Sequence, residues 1–186
     1  MDGHCRRGET RRCLSGAPCR ASTGRALGEE VELFLSTFVN KVDRKGRVSV
    51  PATFRAAVAD QSFPGIVVFP SFKYEALDAS GIKRMEEMSS RMDMLEEFSE
   101  EHENLGGLFA SSQTLPFDTE GRIVLPENLA GYAHITESAA FVGLGKSFQI
   151  WEPGRFADHQ AMLRERARRQ GTRVPSASQS AERRRE

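Results

Sequence analysis

Basic side chains are concentrated in one short part of this 186-residue chain, between Phe38 and Ala56. Five lysine or arginine residues lie there against a single acid, so the local net charge is +4. Cations at this density are the groups that contact the phosphates of nucleic acids. We therefore predict that this stretch contacts phosphate, through Lys41, Arg44, Lys45, Arg47 and Arg55.

The basic stretch contains one copy of a repeated motif. Residues Asp43–Pro51 share Asp, Gly, Arg, two aliphatic residues and Pro with Asp118–Pro126, in the same positions. Asp at the first position of a tight turn accepts hydrogen bonds from the backbone, and Gly is favoured at the fourth position, where the chain leaves the turn. The duplication predicts two similar supersecondary units. Structural roles in the two turns are predicted for Asp43, Gly46, Asp118, Gly121 and Arg122.

The two copies differ in charge. Between Ser112 and Ala130 one arginine stands against three acids, a local net charge of −2. Only the first turn is therefore expected to meet phosphate, and Arg122 is assigned to holding its own turn or to a subunit contact. One basic turn binds weakly, but several identical turns in a symmetric oligomer bind a duplex with high effective concentration. The alternative is that the basic residues of the first turn are ordinary exposed hairpin residues.

The hydrophobic pattern predicts the elements that position the two turns. One strand is predicted to lead into the first turn, another to follow each turn, and a short helix to begin after each Pro. Gly131 is expected to stop the second of these helices. The predicted elements are strands at Phe34–Val42, Ile66–Phe69 and Gln113–Phe117, a hairpin of Ala139–Leu144 and Ser147–Trp151, and helices at Ala52–Val58, Glu127–Ala130 and Arg155–Arg169.

A methionine-rich stripe also has helical spacing. Its members are Met85, Met88, Met92, Leu95 and Phe98, and glutamates occupy the opposite face of the same stretch. Methionine fills irregular gaps in cores, so a core-facing stripe is the favoured interpretation, and an adaptable groove for a partner is the alternative. The glutamates are interpreted as a solvated surface.

These elements divide the chain into six segments. Residues 1–32 are expected to be a disordered extension, because they are rich in arginine and contain no aromatic residue. Translation that begins near Val31 would make this extension an annotation artefact. The other segments are a first half at 33–82, an acidic connecting helix at 83–110, a second half at 111–154, a C-terminal helix at 155–170 and a disordered tail at 171–186.

Several classes of function are disfavoured by the remaining composition. From Leu33 to Asp158 there are 12 basic and 18 acidic residues, so a generally basic surface is absent. The spacings of Cys5, Cys13 and Cys19 match neither a zinc site nor a redox pair, and the four histidines are scattered, so we expect no metal and no cofactor. No apolar run is long enough to span a membrane. No nucleophile and base pair or phosphate loop indicates an enzyme, and Ser36, Ser49, His102 and His134 are interpreted as structural or surface residues.

The chain resembles the MraZ family of the SpoVT/AbrB-like swapped-hairpin transcription factors. The resemblance runs from about Leu33 to Gly171 and rests on both Asp-x-x-Gly-Arg turns, on Phe38-Val39-Asn40 and on Phe148-Gln149-Ile150-Trp151. It implies an α+β, mostly β fold of two tandem AbrB-like swapped-hairpin β-barrel halves with short helices, packed as one unit. Thr119-Glu120 in the second turn departs from Arg44-Lys45 in the first, so an equal DNA role for both turns is not expected.

The resemblance also implies a function. Members of the family are bacterial, cytoplasmic and nucleoid-associated, and they form closed rings of about eight or more subunits. They bind short tandem repeats of double-stranded DNA in the promoter of the division and cell wall gene cluster, and usually repress it. On this chain Arg47 is the residue expected to read a base, while no small-molecule ligand is indicated. A different class of function stays open, namely an antitoxin-like or scaffold module that binds a protein partner without direct promoter binding.

Overall fold

The computed structural model of this protein describes residues 33–97 and 99–170. The predicted N-terminal extension with its three cysteines, the predicted C-terminal tail and Phe98 lie outside the described residues. The described elements, in chain order, are β1 (Thr37–Lys41), β2 (Arg47–Ser49), α1 (Ala52–Ala56), β3 (Gly65–Pro70), β4 (Leu77–Ser80), α2 (Ile82–Met92), α3 (Glu100–Ser111), β5 (Gln113–Pro116), β6 (Arg122–Val124), α4 (Glu127–Tyr132), β7 (Ser138–Gly143), β8 (Phe148–Trp151) and α5 (Pro153–Gln170).

Six strands form one antiparallel sheet in the order β1-β7-β8-β4-β3-β5, and β2 pairs with β6 in a separate antiparallel ribbon. The α+β, mostly β prediction is confirmed. The predicted barrel is wrong in one respect, because this sheet is open, with β1 and β5 at its edges. The chain leaves each edge strand through a turn and enters the ribbon, where β2 and β6 pair with each other, so the edges do not close on one another.

The strand order is symmetric between the two sequence repeats. If β1 is exchanged with β5, β2 with β6, β3 with β7 and β4 with β8, the result is the same strand order read from the opposite edge of the sheet. In the ribbon the central pair is Val48 with Ile123, and in the sheet Asp78 pairs with Gln149. The amide of Gln149 donates a hydrogen bond of 2.7 Å to the Asp78 carboxylate. The two repeats therefore interleave their strands around a pseudo-twofold axis.

The main core lies between the ribbon and the sheet. Val48 and Ile123 point inward from the ribbon and are each 1% exposed. Phe54 of α1 is also 1% exposed, and its ring contacts those of Phe34, Phe38 and Phe148 at centroid distances of 5.2, 5.6 and 5.0 Å. These contacts fix α1, and with it Arg55, against the body of the protein.

Helices cover the other face of the sheet. At one end Met85 of α2 and Leu108 of α3 are buried against Val67 and Phe69 of β3, with Met88 partly buried beside them. The core interpretation of Met85 and Met88 is therefore confirmed. At the other end α5 lies over β7 and β8, as described below. None of the helices in the described ranges is both long and apolar enough to span a membrane.

Two helix predictions need correction. The expected single helix at 83–110 is two helices, because Ser99 begins α3 by accepting a hydrogen bond of 3.2 Å from the His102 amide. The helix α4 passes through Gly131 and ends beyond it, since His134 takes the left-handed conformation with φ of 55°. The Ile135 amide then donates to the Ala130 carbonyl at 2.9 Å, a closing pattern that glycine usually supplies.

Candidate nucleic-acid interface

The first turn is organised by the carboxylate of Asp43. One of its oxygens accepts hydrogen bonds from the amides of Lys45 and Arg47, at 2.8 and 2.9 Å. The other oxygen accepts from Nε of Arg47 at 2.7 Å and lies 2.6 Å from Nη2 of the same side chain. Gly46 follows with φ of +73°, a conformation that glycine adopts without strain. The carboxylate thus fixes both the backbone of the turn and the orientation of Arg47.

The second turn has the same geometry. Asp118 accepts from the amides of Glu120 and Arg122, each at 2.9 Å, and from Nε of Arg122 at 2.7 Å. Gly121 has the same φ of +73° as its counterpart. One contact differs, because Glu120 adds a second carboxylate 2.5 Å from Nη1 of Arg122. Arg122 is therefore held by two anions, whereas Arg47 is held by one.

Both aspartates have a lowered pKa. Hydrogen bonds from the Arg47 amide, and then from its guanidinium and the Lys45 amide, hold the pKa of Asp43 below its ordinary value of 3.8. The amide and guanidinium of Arg122 do the same for the pKa of Asp118. The contact with Asp118 also raises the pKa of Arg122, with smaller contributions from Glu120 and from Asp43 of the other turn. Both turns therefore keep their ion pairs throughout the neutral range.

We expect the turns to weaken in acid. A carboxyl group with a lowered pKa in the folded state stabilises that state above its unfolded pKa, and this contribution is lost as the pH falls through the folded value. The urea midpoint of the wild type should therefore exceed that of Asp118→Asn at pH 7, and the difference should shrink below about pH 4. Urea unfolding at several pH values measures it. A difference that stays constant down to pH 2 would contradict the role given to this carboxylate.

The ribbon between the turns has one outward face. Arg47 pairs with Val124, and Ser49 pairs with Arg122, so these four side chains share the face opposite the buried Val48–Ile123 pair. Val124 is 58% exposed although it is aliphatic. A two-stranded ribbon of this kind fits the major groove of B-DNA, where arginine, hydroxyl and apolar groups each have partners on base edges.

The predicted phosphate contacts fall into two groups. Lys41 ends β1 next to the first turn, and Arg44 and Lys45 form the tip of that turn. Within residues 33–97 and 99–170, the side chains of these three cations make no ion pair. Arg55 lies elsewhere, because its guanidinium packs over Gly121 of the second turn and its Nε donates to the Val50 carbonyl at 3.2 Å. The structure thus gathers four of the five predicted residues at the first turn and brings the fifth to the second.

Sequence reasoning does not identify two side chains of this face, Ser49 and Val124, or Asn40 of β1 beside it. Ser49 is predicted above only as a structural or surface residue, and no functional role is predicted for Val124 or Asn40. The Asn40 amide donates to the Ser49 carbonyl at 2.6 Å and so joins β1 to the ribbon. The signal for Ser49 and Val124 was available in the alternation of the two strands, since a residue two positions from Arg47 or Arg122 must share its face.

Comparisons with known proteins converge on one family. A family model described as "MraZ protein, putative antitoxin-like" matches residues 108–173. The chain is similar to the transcriptional regulator MraZ of Beijerinckia indica, with 44% identity over 139 residues, which are 74% of this chain and 85% of the relative. Proteins of the same name from Pelagibacter ubique and Gluconobacter oxydans are 40% and 39% identical. These matches cover 73% and 81% of this chain, and 88% and 95% of the relatives.

Proposed function

This chain belongs to the MraZ family of transcriptional regulators, and from that premise and the geometry of the ribbon we propose that it regulates transcription by binding DNA sequence-specifically. The regulated promoter is that of the division and cell wall gene cluster, and the dominant effect is repression. The protein acts in the cytoplasm, associated with the nucleoid. The family name describes a regulator, which is not a class of enzyme.

The observation that supports this proposal best is the exposed face of the ribbon. It carries Arg47 and Arg122 at diagonal positions, and the basic first turn lies at one end of it. A base-reading surface needs side chains held in fixed orientations, and Asp43 holds Arg47 in this way. Phosphate contacts from the turn then set the register of the ribbon on the duplex.

The proposed roles differ among the cations. Arg47 contacts a guanine, since arginine pairs with the two acceptor atoms of that base in the major groove. Lys41, Arg44 and Lys45 contact phosphates beside it. Arg55 contacts phosphate from the second turn, where it offsets the charges of Asp118 and Glu120. Asp43, Gly46, Asp118, Gly121 and Arg122 keep the two turns in shape.

The proposed assembly is a closed ring of about eight or more copies, in which each chain contributes its two halves, 33–82 and 111–154, as one unit. Several first turns on one ring face would contact successive repeats of a promoter. Simultaneous binding raises the overall affinity by about 10² to 10⁴ over a single contact. RNA polymerase is then excluded by occupancy of the promoter.

The roles of Arg47 and Lys45 predict two different binding defects. Lys45→Ala should weaken binding to all sequences about equally and lower the salt dependence by about one phosphate contact. Arg47→Ala should also reduce the preference for the promoter repeat, by about 1–3 kcal/mol. Fluorescence anisotropy with a fragment from upstream of the chain's own gene, and with a scrambled fragment of equal length, measures both quantities.

Arg122→Ala is the matched control, because Arg122 donates from Nε to Asp118 of its own turn as Arg47 does to Asp43, with Glu120 as one additional partner. It should leave the preference for the promoter fragment largely intact while light scattering shows an unchanged oligomer. An equal loss of preference in Arg122→Ala and Arg47→Ala would assign base reading to both turns. No promoter binding by a well-folded wild-type oligomer would overturn the proposal.

The second candidate function is an antitoxin-like module, which the description of the matching family model favours. In that case the chain would hold a protein partner in stoichiometric amount, and its promoter fragment would not be enriched. Affinity purification of the tagged chain, followed by analysis of both bound protein and bound DNA, distinguishes the two functions.

A further inference from the structure

The helix α5 is attached to the body of the protein only by its first turns. Phe156 and His159 contact the ring of Trp151, with centroid distances of 6.1 and 5.0 Å, and the His159 ring also lies 4.6 Å from that of Tyr74. No residue of this 18-residue helix is buried. At 1.5 Å per residue the helix is about 27 Å long, so most of it extends past its contacts.

The uncovered part of α5 carries apolar side chains. Leu163 follows Phe156 by seven residues and therefore continues the same helical stripe. Leu163 is 44% exposed, and the neighbouring Met162 is 57% exposed. These two side chains lengthen the apolar stripe of α5 beyond the part that packs on Trp151, and they are the apolar groups that a partner surface would cover.

Charge identifies the surface that fits this part of the helix. Residues 161–170 contain four arginines and one glutamate, a net charge of +3. The helical pair of α2 and α3, residues 82–111, contains three basic and eight acidic residues, a net charge of −5. Its connecting segment also exposes an apolar side chain, since Met94 is 83% exposed. The two surfaces are complementary in sign, and each contains exposed apolar groups.

These surfaces lie at opposite ends of one sheet face. The helical pair packs on Val67 and Phe69 of β3, and α5 packs on Trp151 and the neighbouring β7. In the strand order, β3 and β7 are counterparts on the two sides of the pseudo-twofold axis. A contact between two different surfaces at opposite ends of a subunit is head-to-tail, and such contacts form a closed ring when the rotation from one subunit to the next closes on itself. Contacts between two copies of the same surface would place like charges together.

We propose that α5 of one copy packs against the α2–α3 pair of the next copy, and that this contact builds the homo-oligomer. The proposal rests on the ring assembly proposed above and names the surfaces that form it. Leu163 and Met162 supply the apolar centre of the contact, and Arg166 and Arg169 face the acidic helices. The ribbon stays outside this interface, so DNA binding by one subunit does not depend on it.

Leu163→Glu tests the apolar centre, and Ala161→Glu, on the far side of the same helix, is its control. Size-exclusion light scattering should show that Leu163→Glu lowers the mass to that of one or two chains, while Ala161→Glu keeps the wild-type mass. Circular dichroism and the thermal midpoint check that both variants are folded. A wild-type mass for folded Leu163→Glu would overturn the proposal.

Charge reversal provides a second test that does not depend on one residue. One variant carries Arg166→Glu with Arg169→Glu, and the other carries Glu86→Lys with Glu97→Lys. Each alone should assemble poorly, because side chains of like charge then meet at the substituted positions in every contact. Mixing them restores complementary charges and should yield mixed oligomers of wild-type mass. No assembly of the mixture, or full assembly of each variant alone, would contradict the proposal.

DNA binding separates this inference from the proposed function. Leu163→Glu should keep its affinity for a fragment with one repeat and lose about 100-fold for a fragment with several repeats. If Leu163→Glu keeps the wild-type oligomer mass and still binds the promoter, the proposed interface is wrong and the proposed function stands. A wild-type oligomer that binds no promoter DNA would overturn the function, and the interface would still be decided by the masses.

Discussion

Reversing the charges at the tip of the first turn, Arg44→Glu with Lys45→Glu, should abolish measurable binding to the promoter fragment. Each lost phosphate contact reduces affinity about fivefold at 0.15 M salt, so two contacts cost about 30-fold for each engaged subunit. The introduced glutamates also repel the duplex. Because several subunits contact one promoter in the proposed ring, the losses multiply beyond the range of an anisotropy titration.

The matched control for this experiment is Lys73→Glu with Lys146→Glu, at two exposed lysines in the loops after β3 and β7. It changes the net charge by the same amount, outside the ribbon, the two turns and the α2–α3 pair. We expect this control to bind the promoter with an affinity within a few-fold of the wild type. Equal losses in the two double variants would mean that overall charge, rather than the first turn, governs DNA binding.

The geometry of the two turns was predictable from sequence because all of its contacts are local. Asp43 reaches its partners within four residues, and Asp118 repeats the pattern. Gly46 and Gly121 occupy the positive-φ positions that the motif requires. Such short-range hydrogen bonds depend on spacing alone, and the same spacing gives the same turn twice.

The pairing of the strands was not predictable in the same way. Either repeat could pair with itself as a hairpin, and nothing in the local pattern decides between that and the pairing of β2 with β6. The strand β4 was missed, because Leu77-Asp78-Ala79-Ser80 contains no β-branched or aromatic residue. Backbone pairing with β3 on one side and β8 on the other, at the centre of the sheet, stabilises β4 in place of local propensity.

Arg55 shows how this pairing changes an assignment. In sequence it lies eight residues after Arg47, and this proximity predicts a place beside the first turn. The antiparallel ribbon places the end of β2 beside the start of β6, where the Val50 amide donates to the Gly121 carbonyl at 3.1 Å. The following helix α1 therefore delivers Arg55 to the second turn. The sequence gives the number of charged residues near each motif. Only the pairing of β2 with β6 shows that Arg55 adds its charge to the second turn and not to the first.

The largest effect on stability is expected for Phe54→Ala, with a loss of about 3–5 kcal/mol in the free energy of unfolding. Phe54 is 1% exposed and contacts three other phenylalanine rings, which come from β1, β8 and the segment before β1. Removing its ring leaves a cavity that these neighbours cannot fill without moving. Urea unfolding at fixed protein concentration, followed by fluorescence of the single tryptophan, Trp151, measures the loss.

Phe72→Ala is the control for this prediction, since it makes the same chemical change at a residue that is 73% exposed. It should alter the free energy of unfolding by no more than about 0.5 kcal/mol. A comparable loss in both variants would mean that the phenylalanine cluster does not hold α1 in place. If only Phe54→Ala is destabilised, the cluster anchors the helix that carries Arg55 and joins the ribbon to the sheet.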